Sequence, residues 1–448
     1  MRRVKRAAII GGSISGMAAA AALLRRGYEV VICDRDPEAG CTREIRKGAP
    51  QGRQLHLLLA GGAEALEWLL PGLAEDRARS GCVPFDFGES VKWTHYGVDK
   101  VAANLGLGLF AQTRPHLEAL IATRLAAHNG LQWRAGFSVE GLELRMDRIV
   151  GLEVKDAEGH REEIEADLVV DASGRNTRAP AWIEALGYRA PAREEVGLGL
   201  GYSTVEFELN ESAGLPLFRA NYSVRPDSFR NVLCMYLGQG RYQLTAMGYA
   251  GDFPPVEPDE LARWVAALND PDLNRLFRQG RPQGQARAHR VPYQLRRRYD
   301  RVDLPAGFLP IGDAIASFDP VFGQGMTVAA LQAKALGEGR GLVDERAALR
   351  TFVRITKRPW FITTVEARRF GLDGKTPLHQ RVAQRLFDRV FAVSGWSLPV
   401  YRAFVELMHM RRGWSAFARP EVVRDLLATR PRGRQNALAS GRAAKASP

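Results

Sequence analysis

Residues 6–34 constrain the fold of this chain more than any other stretch. Arg6-Ala-Ala-Ile-Ile10 is an apolar run of strand length, Gly11-Gly-Ser-Ile-Ser-Gly16 is a glycine-rich turn, and Met17 to Arg26 is an alanine-rich helical run closed by Gly27. Tyr28 to Cys33 reads as a second buried strand ending at Asp34. Strand, turn, helix and strand in that order predict a βαβ unit and an α/β fold built on a parallel sheet.

The turn also has a chemical reading. In a G-x-G-x-x-G turn the backbone approaches a pyrophosphate seated on the helix amino end, and an acid about 20 residues further on takes the ribose hydroxyls. Gly11, Gly12, Ser13, Ser15 and Gly16 occupy the turn, and Asp34, with Arg35 beside it, lies eighteen positions after Gly16. An acid there favours an unphosphorylated ribose, hence FAD or NAD over NADP. Ser13 stands where the middle glycine of the pattern would be, so close approach of a pyrophosphate rests on that side chain being small. Glycine-rich turns also occur in α/β proteins that bind no nucleotide, and the rest of the chain decides between the two readings.

Two further segments end apolar runs in the same way. Between Gly307 and Met326, Gly312 and Asp313 close a strand-like run, and Pro320, Gly323 and Gly325 open a helical one, Met326 to Leu336. A helix amino end presents free N–H groups and roughly half an elementary positive charge. Asp313 offers an acceptor to a sugar or polyol hydroxyl, and glycine at 323 and 325 lets backbone lie against a flat ligand. Asp167-Leu-Val-Val-Asp-Ala-Ser-Gly-Arg-Asn-Thr-Arg178 is a strand ending at Asp171, followed by a tight turn bearing Arg175 and Arg178.

Three strand-ending sites exceed what an NAD dehydrogenase needs. In order and wording they resemble the FAD-dependent monooxygenases of the aromatic-hydroxylase superfamily, and most of all bacterial flavin epoxidases and hydroxylases of natural-product pathways, such as those acting on polyether precursors. Arg46-Lys-Gly-Ala-Pro-Gln-Gly-Arg-Gln-Leu-His56 is similar to that subgroup's R-x-G-x-P-Q-x-x-x-x-H signature, and Thr113-Arg-Pro-His-Leu-Glu118 to its Arg-x-x-Leu-Glu helix start. The resemblance implies a Rossmann-like FAD-binding domain of the glutathione-reductase type, an inserted β-sheet substrate domain and a C-terminal helical region. It further implies that Gly11, Gly16 and Asp34 hold the ADP half of FAD and that Arg46 and Arg114 lie along the pyrophosphate and ribityl chain. Asp313 would hold the ribityl or pyrophosphate side, and Gly323 to Met326 would face the isoalloxazine ring. Asp171 to Arg175 stands at the family's Asp-Gly segment but reads Asp-Ala-Ser-Gly-Arg, which leaves the electron donor open: NADPH or NADH, directly or through a partner flavin reductase.

Bringing these segments together makes the FAD-binding domain discontinuous, from residues 1–82, 111–188 and 302–340. Residues 83–110 and 189–301 then form the substrate side, 341–430 a helical region and 431–448 a basic, disordered tail. Alternation over Gly199–Phe207, Val232–Leu237 and Tyr242–Tyr249 predicts strands, Asp259 to Leu268 a helix capped by Asp259, and Pro359, Pro399 and Pro420 breaks among the C-terminal helices. The Trp and Phe residues of the last hundred positions read as core between those helices. With 448 residues, 46% of them hydrophobic, the chain can fill two or three cores. No run approaches the ~18 apolar residues of a membrane span and no cleavable leader is evident, so a cytoplasmic protein is expected. The net charge of +13 reads as solvated surface, because the basic knot Arg296-Arg-Arg298 lacks the interleaved aromatics of a nucleic-acid platform. Cys33, Cys41, Cys82 and Cys234 form no C-x-x-C and the eight histidines no close pair, which supports neither a disulfide framework nor a metal site.

The chemistry the resemblance implies is uptake of O2 by reduced flavin as a C4a-hydroperoxide and transfer of one oxygen atom to an apolar natural-product intermediate. Epoxidation of an alkene needs no base in the pocket, whereas hydroxylation of a phenol needs help in removing its proton. Epoxidation is therefore the first reading; aromatic hydroxylation and a geranylgeranyl-reductase-like hydride transfer are the alternatives. A halogenase would carry a W-x-W-x-I-P segment, which this sequence lacks. No side chain is assigned a catalytic role. Tyr202, Tyr222 and Tyr249 are expected in the substrate wall, and His56 on a helix near the flavin, with His95 a further polar candidate.

Overall fold

The computed structural model describes residues 4–37, 46, 48–210, 214–223, 228–339 and 341–429. The tail 431–448, Cys41 and Lys47 lie outside them. Five strands, in spatial order Phe308–Pro310, Leu168–Asp171, Arg6–Ile10, Glu29–Asp34 and Leu131–Ala135, form one sheet in which every pair is parallel. Register matters most here. Ile10 lies beside Cys33 on one side and Asp171 on the other, and Asp171 lies beside Pro310. The carboxyl ends of the strands therefore share one edge, from which the loops after Ile10, Asp34, Asp171 and Pro310 all depart. In an open parallel sheet that edge is where ligands bind.

The helix Ile14–Arg25 packs on this sheet. Ala18 to Leu23 are at most 2% exposed; a helix buried on all sides needs a neighbour on its outer face too. That neighbour is the helix Gln324–Glu338, where a Cβ at Gly337 would sit 3.3 Å from the Ala22 Cα. Close packing continues outward, since a Cβ at Gly62 of the helix Ala60–Leu69 would lie 2.7 Å from the Thr327 hydroxyl.

A second, nine-stranded sheet has Arg193–Glu208 inside it, flanked by Arg287–Arg297 and Arg241–Gly248; Arg230–Gly238 and Phe218–Tyr222 follow. Strands from distant parts of the chain extend it. Val91–His95 joins in parallel beside Phe218–Tyr222, and Ala316–Ser317 closes the opposite edge against Arg287–Arg297. Helices Glu345–Ala367, Leu378–Val393, Leu398–Met408 and Pro420–Leu427 follow among the described residues. The fold is the expected one: a Rossmann-like domain, an added sheet and C-terminal helices.

Three local expectations need correction. Pro359 does not break a helix but sits inside Glu345–Ala367; the missing N–H costs about 3 kcal/mol, which the burial of Phe352, Trp360, Ile362 and Val365 offsets. The helix Pro258–Ala266 begins at Glu257, so Asp259 lies within its first turn, where its charge meets the positive end of the macrodipole. His56 lies not on a helix but between the short 3-10 turn Pro50–Arg53 and the helix Ala60–Leu69.

Candidate functional site

A cavity of 1480 Å³ runs from the carboxyl edge of the parallel sheet to the C-terminal helices. The glycine turn forms one end. Gly11 has φ +96° and a Cβ on it would lie 2.9 Å from the Ala172 carbonyl oxygen, while a Cβ on Gly16 would lie 1.8 Å from the Gly11 carbonyl oxygen. Gly11 thus permits the bend and Gly16 the descent of the helix onto it. Gly12 is wedged between Trp133 and Asp34, and its N–H donates to Asp34 Oδ2 at 2.6 Å.

Ser13, at the place of the missing glycine, is the N-cap of the helix but makes no capping bond with its side chain. Its hydroxyl instead donates to Glu118 Oε1 at 2.8 Å and accepts from Arg114 at 2.8 Å. Arg114 opens the helix Arg114–Ala126, whose cap Thr113 accepts from the His116 N–H, and Arg114 also reaches Glu118 one turn on at 2.9 Å. Arg46 bridges Asp34 and Glu118, both at 3.1 Å, with 5% of its side chain exposed. Burial works against the Arg46 charge, yet Glu118 and Asp34 hold its guanidinium above the ordinary range. Burial likewise opposes the Glu118 carboxylate, and Arg114 and Arg46 outweigh it, bringing Glu118 below its usual value. His56 donates from Nδ1 to the Gln54 carbonyl at 2.8 Å and lies 3.5 Å from Arg114 through Nε2. Burial and then the Arg114 charge push it down to about 4, so it is neutral near pH 7.

Midway along the cavity lies the second glycine segment. Asp319 caps the turn Pro320–Phe322, Gly323 takes the left-handed conformation at φ +65°, and the helix starts at Gln324. A Cβ on Gly325 would meet only Asp313 Oδ1, at 3.6 Å, so this glycine keeps cavity space open rather than permitting contact between elements. Burial raises the Asp313 carboxyl, against the charges of Arg114 and Arg175. Arg175 donates to the Ser317 hydroxyl at 3.2 Å and to the Tyr293 carbonyl at 2.6 Å.

The far end is walled by Trp93, Leu233, Met247, Val291, Phe391 and Phe404. Among these apolar groups Tyr249 donates to Asp319 at 2.7 Å and Tyr96 to Glu366 at 2.6 Å. The buried Tyr202 hydroxyl has no partner among the described residues. Burial raises Asp319 to about 7, and burial followed by the Asp319 charge raises Tyr202 and Tyr249 well above the ordinary phenol value.

Of the residues singled out in the sequence, Gly11, Gly12, Ser13, Ser15, Asp34, Arg35, Arg46 and Arg114 line one stretch of this cavity. Asp313, Pro320, Gly323, Gly325 and Met326 line the next, and Tyr202, Tyr222 and Tyr249 the last. Gly16, Asp171 and Gly312 lie behind its wall. Asp171 is fully buried and its carboxylate is taken up by Ser173 and Thr177, so it shapes the turn below the cavity. Gly312, at φ +63°, lets the chain pass Ser15, whose hydroxyl a Cβ would approach to 2.4 Å. Sequence reading missed Glu118 as the shared counterion and Asp319 as the buried acid; only the Asp-Pro capping pattern at 319–320 pointed to the latter. Phe391 and Phe404 are buried in the main core as expected and Phe417 packs against it, yet all three also line the cavity, while Trp414 lines it at 45% exposure.

A parallel sheet with a glycine turn at its carboxyl edge, an acid ending the next strand and a second glycine-opened helix facing the same cavity is the arrangement of a Rossmann-like dinucleotide-binding protein. The particular family follows from comparison with known proteins. A family model described as FAD dependent oxidoreductase matches residues 7–177. Protein Rv3254 of Mycobacterium tuberculosis (strain ATCC 25618 / H37Rv) is 34% identical over 414 residues, covering 86% of this chain and 85% of that protein. The chain belongs to the FAD-dependent oxidoreductase family and is a flavin-dependent enzyme. Three solved structures share its fold. A flavoprotein/dehydrogenase from Cytophaga hutchinsonii has a TM-score of 0.67 at 14% identity, covering 94% of this chain and 96% of that one. The p-nitrophenol 4-monooxygenase PnpA from Pseudomonas putida DLL-E4 has 0.63 at 17%, covering 92% and 100%. The flavin-dependent brominase Bmp2 has 0.62 at 16%, covering 91% and 94%.

The residues present fit FAD. Arg46 keeps a buried Nε with no partner among the described residues, as a site for an anionic group would have, and the space beside Gly325 is what a flat ring system requires.

Proposed function

We propose that this FAD-dependent oxidoreductase is a monooxygenase that places one oxygen atom of O2 into a sizeable, largely apolar molecule, an alkene by epoxidation in the first instance. One observation carries the proposal: the cavity does not end at Gly323–Met326 but continues into an aromatic and aliphatic chamber reaching the C-terminal helices. FAD, held by Gly11 to Ser13, Asp34, Arg35, Arg46, Arg114, Asp313 and the Pro320–Met326 segment, would supply the oxygen chemistry. The chain's own part is threefold. Free N–H groups at the start of the helix Gln324–Glu338 stabilise negative charge placed against them. Trp93, Phe391 and Phe404 exclude water and hold the substrate by burial, and Tyr202 offers a hydroxyl that orients it. NADPH or NADH serves as the electron donor, directly or through a reductase. The presence of a p-nitrophenol 4-monooxygenase among proteins of the same fold is in keeping with this reading.

Hydroxylation of a phenol is the second reading, and the Asp319–Tyr249 pair favours it. A carboxyl poised near pH 7 can take a proton from Tyr249, which in turn can take one from a substrate hydroxyl. Anaerobic reduction of the purified protein, followed by admission of 18O2 with alkene and phenol panels, tests both. One labelled oxygen in an epoxide supports the first reading and one in a catechol the second. Product formed without oxygen sinks both in favour of hydride transfer.

A further inference from the structure

The chamber opens to solvent through apolar side chains that stay exposed. Leu386 on the helix Leu378–Val393, Val423 and Leu427 on the helix Pro420–Leu427, and Trp414 between them all line the cavity, yet are 62%, 40%, 80% and 45% exposed. The same face of the first helix carries Leu378 and Val382, 68% and 48% exposed, at helical spacing of four from each other and from Leu386. Such a stripe on a water-facing helix costs solubility unless something covers it.

Charge says what covers it. Arg381 and Arg385 alternate with the stripe, are exposed, and form no ion pair among the described residues. Residues 341–429 hold sixteen Lys or Arg against eight Asp or Glu. Residues 430–448 add five Lys or Arg, no acid, one Leu and no aromatic, so they bring more positive charge but no apolar cover. Among the described residues no helix is long and apolar enough to cross a membrane. Exposed Leu, Val and Trp interleaved with unpaired Arg on short helices match an anionic lipid surface, where apolar side chains enter the acyl boundary and arginines meet headgroup phosphates.

We propose that this face docks the enzyme on an anionic membrane, so that the cavity mouth opens onto lipid and an apolar substrate enters from the bilayer. Docking stands or fails apart from the oxygen-transfer reading, because it is measured without turnover. The full chain, loaded with FAD, is sedimented with vesicles of phosphatidylcholine alone and with added phosphatidylglycerol. Strong partitioning onto the anionic vesicles, weakened by salt, is expected. Leu378→Ser with Val382→Ser, and separately Arg381→Glu with Arg385→Glu, should each lower the partition coefficient at least about tenfold while flavin content and melting temperature stay as in the parent; none of these four residues lines the cavity. No partitioning, or equal partitioning onto neutral vesicles, overturns the proposal. So does a dimer, seen by light scattering, that the Leu378/Val382 variant dissociates while the parent ignores vesicles, since a second copy would then cover the face.

Discussion

Arg46 is surrounded by Asp34, Asp36 and Glu118, and its position is fixed by theirs. Removing one partner of such a buried group strands the others, at a cost of about 3 kcal/mol or more. Arg46→Ala should therefore lower stability by that order in denaturant melts and strip most of the flavin, read from visible absorbance. Arg46→Lys, which keeps the charge but not the planar fork, should fall between. Asp313→Ala should also lose most bound flavin. Asp319 gives a pH signature. Its folded value of about 7 lies above the roughly 3.9 of an unfolded chain, so between those values the folded protein binds more proton than the unfolded one. This residue's contribution to stability is then present at low pH and lost as pH rises through about 7. Asp319→Asn lacks the loss, so its stability relative to the parent should rise by up to about 4 kcal/mol between pH 4 and 8; identical pH profiles for the two proteins would refute the buried acid.

At the scale of elements, two glycines that look alike in sequence do opposite work. Gly16→Val drives a side chain into the Gly11 backbone and should abolish folding, seen as loss of soluble protein. Gly325→Val points into open cavity and should leave the melting transition near the parent's while flavin binding and turnover fall. The βαβ unit and the 307–326 segment were legible because their turn chemistry and periodicity are local. The resemblance also pointed to Arg46 and Arg114, although not to Glu118, since its role depends on the helix Arg114–Ala126 meeting the glycine turn in space. Periodicity marked an apolar face on the C-terminal helices. It carries no information on whether that face meets only protein or also a cavity, so the core residues Phe391 and Phe404 gave no sign that they line one. Pro359 was misread for a related reason, because tertiary burial overrides local propensity.

For the molecule as a whole, the basic tail should be dispensable to the flavin site. Deleting residues 431–448 is expected to leave flavin content and turnover unchanged, and a large loss of either would tie the tail to the site. The added sheet, in contrast, admits no clean excision. Val91–His95 pairs with Phe218–Tyr222 next to one edge and Ala316–Ser317 with Arg287–Arg297 at the other, so the sheet is stitched near both ends by pieces from outside residues 189–301. A segment 189–301 taken from a relative would have to present strands that match Val91–His95 and Ala316–Ser317 in register, or leave those two without partners. A graft that carried residues 91 to 317 together would bring both pairings with it, as a single inheritance.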